Sequence, residues 1–293
     1  MTLVLTLVAG SSSARLAESA PGGVGAAIER GGVKWSVTER EIDVKRQDEL
    51  VTYLEAEAGP AKADWAITPA ADRRKKLLVS DMDSTIIGQE CLDELADFAG
   101  RKAQVSAITE RAMRGELDFA AALTERVAML KGLELSALDA CYAQRVTLNA
   151  AAKELVATMK AHGARTVLVS GGFRFFTSRV AKAAGFDTDR ANTLIDDGKA
   201  LSGAVGQPIL GREAKLAALK EEAATLGLTP DDAIALGDGA NDLDMIRAAG
   251  LGVAYKAKPI VAAETLARIE HTDLTAALFF QGYRAEEIVG AGE

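Results

Sequence analysis

The feature that most constrains this chain is a set of short, unbroken apolar runs, each delivered into small or acidic residues. Leu77-Leu78-Val79 leads into Ser80-Asp81, Thr166-Val167-Leu168-Val169 into Ser170-Gly171-Gly172, and Ala233-Ile234-Ala235-Leu236 into Gly237-Asp238-Gly239. Leu251-Gly252-Val253-Ala254-Tyr255 is a fourth run of the same kind. Apolar runs without alternation fit strands buried on both faces, and helical segments between them imply a parallel sheet covered on both sides. A doubly wound α/β fold follows. In such sheets the ligand site lies beyond the carboxyl ends of the strands. Three of the four runs deliver residues capable of chemistry there.

The stretch from Gly88 to about Val146 reads as mostly helical and is too long for a simple crossover, so an inserted cap is expected. Asp196-Asp197-Gly198-Lys199, between Leu194-Ile195 and Leu201, signals a hairpin. Residues 1–70 predict a small α/β unit. Its elements are a strand over the apolar start, a helix from Ala14 to Glu29 and a strand or hairpin from Val33 to Val44. A helix from Asp48 to Ala58 follows, stopped by Gly59-Pro60, and then a last short strand from Trp65 to Ile67. The charged, proline-marked run Pro69–Lys76 is the expected linker to a second unit over 75–293. The start Thr2-Leu3-Val4-Leu5-Thr6-Leu7-Val8 lacks a basic flank and is interrupted by threonines, which favours a strand over a signal peptide. No stretch reaches the ~18 apolar residues that span a bilayer.

Of the 293 residues, 48% are hydrophobic, enough for a well-buried core, and the formal charge is −8. That balance argues against a nucleic-acid partner, which needs clustered Lys and Arg. A small anionic substrate remains open if isolated cations stand near the chemistry. The two cysteines, Cys91 and Cys141, make no disulfide framework. They read as buried small hydrophobes in a reducing, cytoplasmic setting. Two histidines are too few for a His-based zinc site. A metal would rest on carboxylates, which suits a hard cation such as Mg²⁺.

Asp81 and Asp83, two apart at a strand end, can reach one site. One carboxylate can attack phosphorus to give an aspartyl-phosphate. The other can protonate the leaving alkoxide and later deprotonate water. The pair alone is weak, because a polar turn has the same pattern. Asp238 and Asp242 follow a buried strand through a glycine turn and could hold Mg²⁺ against Asp81, although they also suit a helix start. Ser170-Gly171-Gly172 offers a hydroxyl and backbone N–H groups to phosphoryl oxygens, or is an ordinary strand-to-helix turn. Lys215 is a compensating cation or a solvated helix lysine. On a helix through Phe119, Leu123, Val127 and Leu130, successive residues rotate by ~100°. Arg126 then falls inside the apolar stripe, where a charge needs a partner. That partner is either a neighbouring acid or a bound carboxylate, which a guanidinium pairs with bidentately.

Taken in this order, Asp81/Asp83, Ser170, Lys215 and Asp238/Asp242 resemble the haloacid dehalogenase superfamily and, within it, the phosphoserine phosphatases, from about Lys75 to the C-terminal region. The resemblance implies a Rossmann-like doubly wound parallel sheet with the helical cap at about 88–146. It implies Asp81 as nucleophile and Asp83 as general acid/base. Ser170 and Lys215 would bind the phosphoryl group with help from Asn241, and Gly171 lies in the same loop. Mg²⁺ would sit on Asp81, Asp238 and the backbone carbonyl of Asp83, with Asp242 in support. Substrate choice should lie in the cap, because the phosphate site is shared by many relatives. There the resemblance implies that Glu90 and Arg126 grip the amino and carboxylate groups, with Met113 and Phe119 as an apolar wall. From local sequence alone, Glu90 is equally a solvated acid near a helix start, and Met113 and Phe119 are equally cap core.

The implied reaction is hydrolysis of O-phosphoserine, a small-molecule substrate, at the last step of serine biosynthesis. A phosphatase or phosphomutase for another small phosphoester is a second reading. A third, from another class, is an amino-acid sensor. The first seventy residues resemble the ferredoxin-like, amino-acid-binding ACT modules, which implies serine sensing or homodimerisation there. Neither a nucleic acid nor a membrane is an expected partner.

Overall fold

The computed structural model describes residues 2–31, 34–114 and 116–290, apart from the side chain at position 113. The N-terminal part runs β1 (Thr2–Ala9), α1 (Ala14–Ser19), β2 (Gly23–Gly31), β3 (Ser36–Asp43), α2 (Gln47–Glu57) and β4 (Ala63–Pro69). Its strands lie in the order β2-β3-β1-β4, every neighbouring pair antiparallel. This is the split β-α-β arrangement of ferredoxin-like units. The apolar start is the strand β1, and its lack of alternation has a cause. Leu3, Leu5 and Leu7 pack with Leu50 and Leu54 of α2, while Val8 joins the main core.

The helix expected over Ala14 to Glu29 is corrected. It ends at Ser19, and Gly23–Gly31 is the outermost strand of the sheet. The break lies at Pro21-Gly22-Gly23. Gly22 adopts φ +76°, a conformation glycine takes without the Cβ penalty. A largely exposed edge strand has no apolar periodicity to announce it. The strand expected from Val33 to Val44 is β3; residues 32 and 33 lie outside the described residues.

The remainder continues with β5 (Leu77–Ser80), α3 (Cys91–Phe98), α4 (Lys102–Met113), α5 (Phe119–Ala128), α6 (Leu135–Arg145), α7 (Ala152–Ala161) and β6 (Arg165–Phe173). Then come α8 (Arg174–Ala184), β7 (Thr188–Asn192), β8 (Leu194–Asp196), β9 (Leu201–Val205) and α9 (Arg212–Thr225). The chain closes with β10 (Ala233–Gly237), α10 (Leu243–Ala248), β11 (Leu251–Tyr255), α11 (Pro259–Ala262), β12 (Ala267–Ile269) and α12 (Ala276–Phe280). Strands β7-β6-β5-β10-β11-β12 form a parallel sheet in that order. Leu77, Val79, Val167, Val169, Ala233 and Ala235 pack under Ala218 and Leu219 of α9. Leu78, Leu168, Ile234 and Leu236 point into the opposite core with Leu155 and Met159 of α7. Burial on both faces accounts for the unbroken apolar runs.

The two sheets are one. β12 pairs antiparallel with β4, and ten strands run continuously from β2 to β7. The segment expected to be a linker is tied down by Arg73. Its guanidinium donates to Glu39 Oε1 (2.7 Å), Thr6 Oγ1 (2.8 Å) and the carbonyls of Phe279 (3.3 Å) and Phe280 (3.2 Å). The inserted region is helical as expected, in α3 to α6. The hairpin β8–β9 joins it through Gly132 N–H to Leu201 O (2.8 Å), Leu201 N–H to Leu133 O (2.8 Å) and Leu135 N–H to Lys199 O (2.9 Å). Among the described residues, no helix is long and apolar enough to cross a membrane.

Candidate active site

Asp81 stands one residue past β5, where its N–H extends the pairing with β10 by donating to Leu236 O (3.0 Å). Its Oδ1 accepts from Met82 N–H (2.8 Å) and from Lys215 Nζ (2.7 Å). Ser84 then takes φ +55°, a left-handed turn that is costly outside glycine and concentrated at functional sites. Asp83, just before this turn, borders the same cavity as Asp81. Asp83 Oδ1 accepts from Cys91 N–H (2.8 Å) and Oδ2 from Ser170 Oγ (3.0 Å). Burial pushes the Asp83 carboxyl up, against the lowering effect of those donors and of Lys215.

Ser170 lies in β6, and its Oγ accepts from Gly172 N–H (2.8 Å) while donating to Asp83. A Cβ on Gly172 would lie 3.0 Å from Ser170 Oγ and 3.2 Å from Asp83 Oδ2. A side chain there would have to displace those two oxygens by a few tenths of an ångström. Lys215, on α9, is 2% exposed and reaches Asp242 Oδ1 (2.6 Å) as well as Asp81. It is not a solvated helix lysine. Burial opposes its charge, but the carboxylates of Asp81 and Asp242 outweigh that and raise its pKa above the ordinary value.

Asp242 is fully buried, and its Oδ2 accepts the N–H groups of Asp238 (3.1 Å) and Gly239 (3.0 Å). Carboxylate oxygens of Asp81, Asp238 and Asp242 lie within 4.8 Å of one another. Three carboxylates against one lysine leave the cluster net negative. Burial and the Asp242 carboxylate push Asp81 up, and Lys215 pulls it down. The donor set is all oxygen and compact, which fits a hard divalent cation. A cation held there would act on Asp81 in the same direction as Lys215.

One cavity of about 160 Å³ is bordered by Asp81, Asp83, Glu90, Phe119, Arg126, Ser170, Gly171, Asp238 and Asn241. Nine of the residues singled out from sequence therefore meet at one place. Lys215 and Asp242 lie buried beneath it. The side chain of Met113 lies outside the described residues; its backbone ends α4. Larger hollows of about 420 and 630 Å³ lie elsewhere and gather no such acid set.

Arg126 is half-buried, and its Nε donates only to Ala122 O (3.3 Å). No carboxylate lies within ion-pair distance of it among the described residues; the adjacent Glu125 is taken by Arg111 (2.7 Å). Burial lowers the Arg126 pKa, while Asp93 and Glu90 raise it. Glu90 caps the start of α3, with its Oε1 accepting from Ser84 Oγ (2.7 Å). The residue is exposed at the cavity mouth, but desolvation of its carboxyl and the charge of Asp83 push the pKa up to about 7. Phe119 opens α5 and hangs over the end of β6: a Cβ on Gly171 would meet its Cζ at 3.1 Å. Cys91 and Cys141 are free and buried, and burial pushes both thiols up, Cys141 to about 11. Neither is poised as a nucleophile.

Sequence reasoning passed over three residues that the structure brings in. Thr85 Oγ1 donates to Asp238 Oδ1 (3.3 Å). Asn149 Nδ2 donates to Thr85 O (2.8 Å), fixing that turn. Lys258 borders the cavity; burial and Asp242 push the Asp238 pKa up, and Lys215 and Lys258 oppose them. Lys258 lies three residues past the fourth apolar run, so the strand-end rule extended to that run would have pointed to it.

Against this geometry, the family model for haloacid dehalogenase-like hydrolases matches residues 78–247. The chain belongs to the haloacid dehalogenase-like hydrolase family. Among curated relatives, a phosphoserine phosphatase of Polaromonas sp. is 48% identical over 204 residues, covering 68% of this chain and 86% of that protein. A solved HAD family hydrolase from Salmonella enterica serovar Typhi superposes with a TM-score of 0.88 at 30% identity, over 96% of this chain and 98% of the other. A solved phospho-aspartyl intermediate analogue of phosphoserine phosphatase gives a TM-score of 0.64 at 38% identity, over 71% of this chain and 99% of the other. The Salmonella likeness spans the N-terminal strands as well as the hydrolase fold.

Proposed function

We propose that this HAD hydrolase is a phosphoserine phosphatase, releasing serine and inorganic phosphate from O-phosphoserine through an aspartyl-phosphate on Asp81. The observation that carries the choice of substrate is Arg126. It is a half-buried guanidinium on the cavity wall with no carboxylate partner among the described residues. Leaving a guanidinium so placed without its counter-ion is costly unless a ligand supplies one. Glu90 borders the same cavity and suits an ammonium group. A cation and an anion there complement an amino acid backbone, and the names of the relatives agree.

In the proposed mechanism Ser170, the N–H groups of its loop, Asn241 and Lys215 hold the phosphoryl group. The Asp81 carboxylate attacks phosphorus and the ester P–O bond breaks. Asp83, whose carboxyl burial pushes up, gives a proton to the departing seryl oxygen. Asp83 then takes a proton from water, which attacks the aspartyl-phosphate and restores Asp81. Asp81, Asp238 and the Asp83 carbonyl would hold a divalent cation, Mg²⁺ in our reading, with Asp242 in support because both its oxygens already accept hydrogen bonds. When bound, that cation neutralises charge on the phosphoryl oxygens. Phe119 and its cap helix exclude bulk water.

The test is phosphate release from phosphoserine, phosphothreonine and sugar phosphates, with and without chelator. Preference for phosphoserine, lost in Arg126→Ala and accompanied by total loss in Asp81→Asn, is the expected pattern. Equal turnover of sugar phosphates, or full activity of Asp81→Asn, would end the proposal.

We further read the chain as two units, 1–70 and 75–293, with the cap at 88–146, in a reducing cytoplasmic setting that suits two free cysteines. For a homodimer through the first unit, the supporting feature is β2. It is an edge strand that exposes Val24 at 52% and Ile28 at 54%.

A further inference from the structure

Asn192 closes β7 and is 2% exposed. Its amide is fully used. Nδ2 donates to Gly171 O (2.9 Å) and Leu210 O (3.1 Å), and Oδ1 accepts from Leu210 N–H (2.7 Å). Two carbonyls and one N–H around the group demand an amide in this orientation. The three partners belong to different parts of the site. Gly171 sits in the irregular end of β6, next to the serine that touches Asp83. Leu210 stands two residues before α9, which carries Lys215. Asn192 and Leu210 also bracket the hairpin β8–β9, whose base is closed by Gly206 N–H to Thr193 O (2.8 Å). The far end of that hairpin is bonded to cap residues 132–135. From its other side Gly171 meets Phe119 of the cap. The phosphoryl loop is thus gripped twice by elements linked to the cap, once by an aromatic ring and once through a buried amide.

We propose that Asn192 is a positioning residue of the phosphoryl-transfer step. It fixes the Gly171 carbonyl, and with it the N–H groups and hydroxyl of the Ser170 loop, to the root of the hairpin that carries the cap. Cap position and phosphoryl-loop position then change together. The proposal rests on the phosphatase reading but not on phosphoserine as substrate, since the loop serves any phosphoester. A loop shifted by a fraction of an ångström loses catalysis without losing the fold.

The test compares Asn192→Ser and Asn192→Asp with wild type on phosphoserine and on p-nitrophenyl phosphate, well below each variant's Tm. Expected is a fall in kcat of about tenfold or more on both substrates, together with weaker competitive inhibition by inorganic phosphate. Asn192→Asp should fare worse, because it sets a carboxylate against two carbonyls. Gly203→Ala is the second variant. Gly203 lies in β9 at φ +83°, and a Cβ there would lie 2.9 Å from Lys131 Cβ in the cap segment. It should show a smaller loss of the same kind, although it lies outside the cavity. Unchanged kcat and phosphate inhibition in folded Asn192 variants would overturn the proposal. If neither Asn192 variant folds, unchanged kinetics in Gly203→Ala would do so. Failure of the phosphoserine assignment would show differently, as poor phosphoserine turnover by wild type beside intact p-nitrophenyl phosphate turnover.

Discussion

Lys215 lies between Asp81 and Asp242 with almost no contact with solvent. Replacing it by methionine keeps the volume and leaves two buried carboxylates with no cation, a loss of about 3–5 kcal/mol. Lys215→Met should therefore lower Tm and abolish turnover. Mg²⁺ should raise the Tm of the variant more than that of wild type, because a cation on the acid cluster replaces part of the missing charge. Equal Mg²⁺ shifts in thermal melts would contradict the cluster as a cation site. Glu90 gives a pH prediction. Its pKa of about 7 means that it is protonated, and unable to balance a substrate ammonium, in acid. The sign is that kcat/KM for phosphoserine falls as pH drops below about 7. In Glu90→Gln that limb should vanish and KM should rise about tenfold or more. A pH profile of the variant parallel to wild type would show that the limb belongs to another group.

The elements place these residues by simple means. Three buried strands end side by side, and their ends hold residues that fit tight backbone. Ser84 makes one turn with a positive φ, and Gly172 sits in the irregular end of β6, where Ser170 and Asp83 crowd the position of a Cβ. Gly172→Ala should fold, since the clash is with side-chain oxygens at 3.0 and 3.2 Å, yet lose kcat by about tenfold or more through displacement of those oxygens. Wild-type kcat in this variant would show that the loop has slack. The strands bearing the site were legible because burial on both faces forces unbroken apolar runs. The edge strands β2 and β7 were not, because their residues meet solvent or polar partners and carry no pattern. The helix expected over Ala14–Glu29 failed for the same reason.

At the scale of the molecule, one sheet crosses the boundary expected at residues 69–76. Asp64 of β4 is 1% exposed and accepts the N–H groups of Glu270 (2.7 Å), His271 (2.9 Å) and Thr272 (2.8 Å), plus the Thr272 hydroxyl. With the antiparallel β4–β12 pairing and Arg73, this seam should make both units unfold together. Asp64→Ala should cost about 3 kcal/mol, since it orphans two buried donors of Thr272 and two part-buried N–H groups. Urea denaturation followed by Trp fluorescence and by circular dichroism should still give coincident transitions in wild type. Two separated transitions would mean that the first seventy residues are energetically independent.

The sequence by itself determined the residues that gather at the candidate site and the sheet that carries them. Buried strands and the turns that follow them impose local patterns that survive without neighbours, as at Asp81, Ser170 and Asp238. The tertiary structure alone decided whether each charge had a partner. Lys215 could have been solvated and Arg126 could have paired with Glu125; instead one is sealed between two carboxylates and the other borders the cavity with no carboxylate partner among the described residues. It alone also joined the two sheets through β4 and β12, and brought Asn192 to Gly171 across 21 residues. Such contacts depend on where distant segments come to rest, and nothing in the local spacing of residues encodes that.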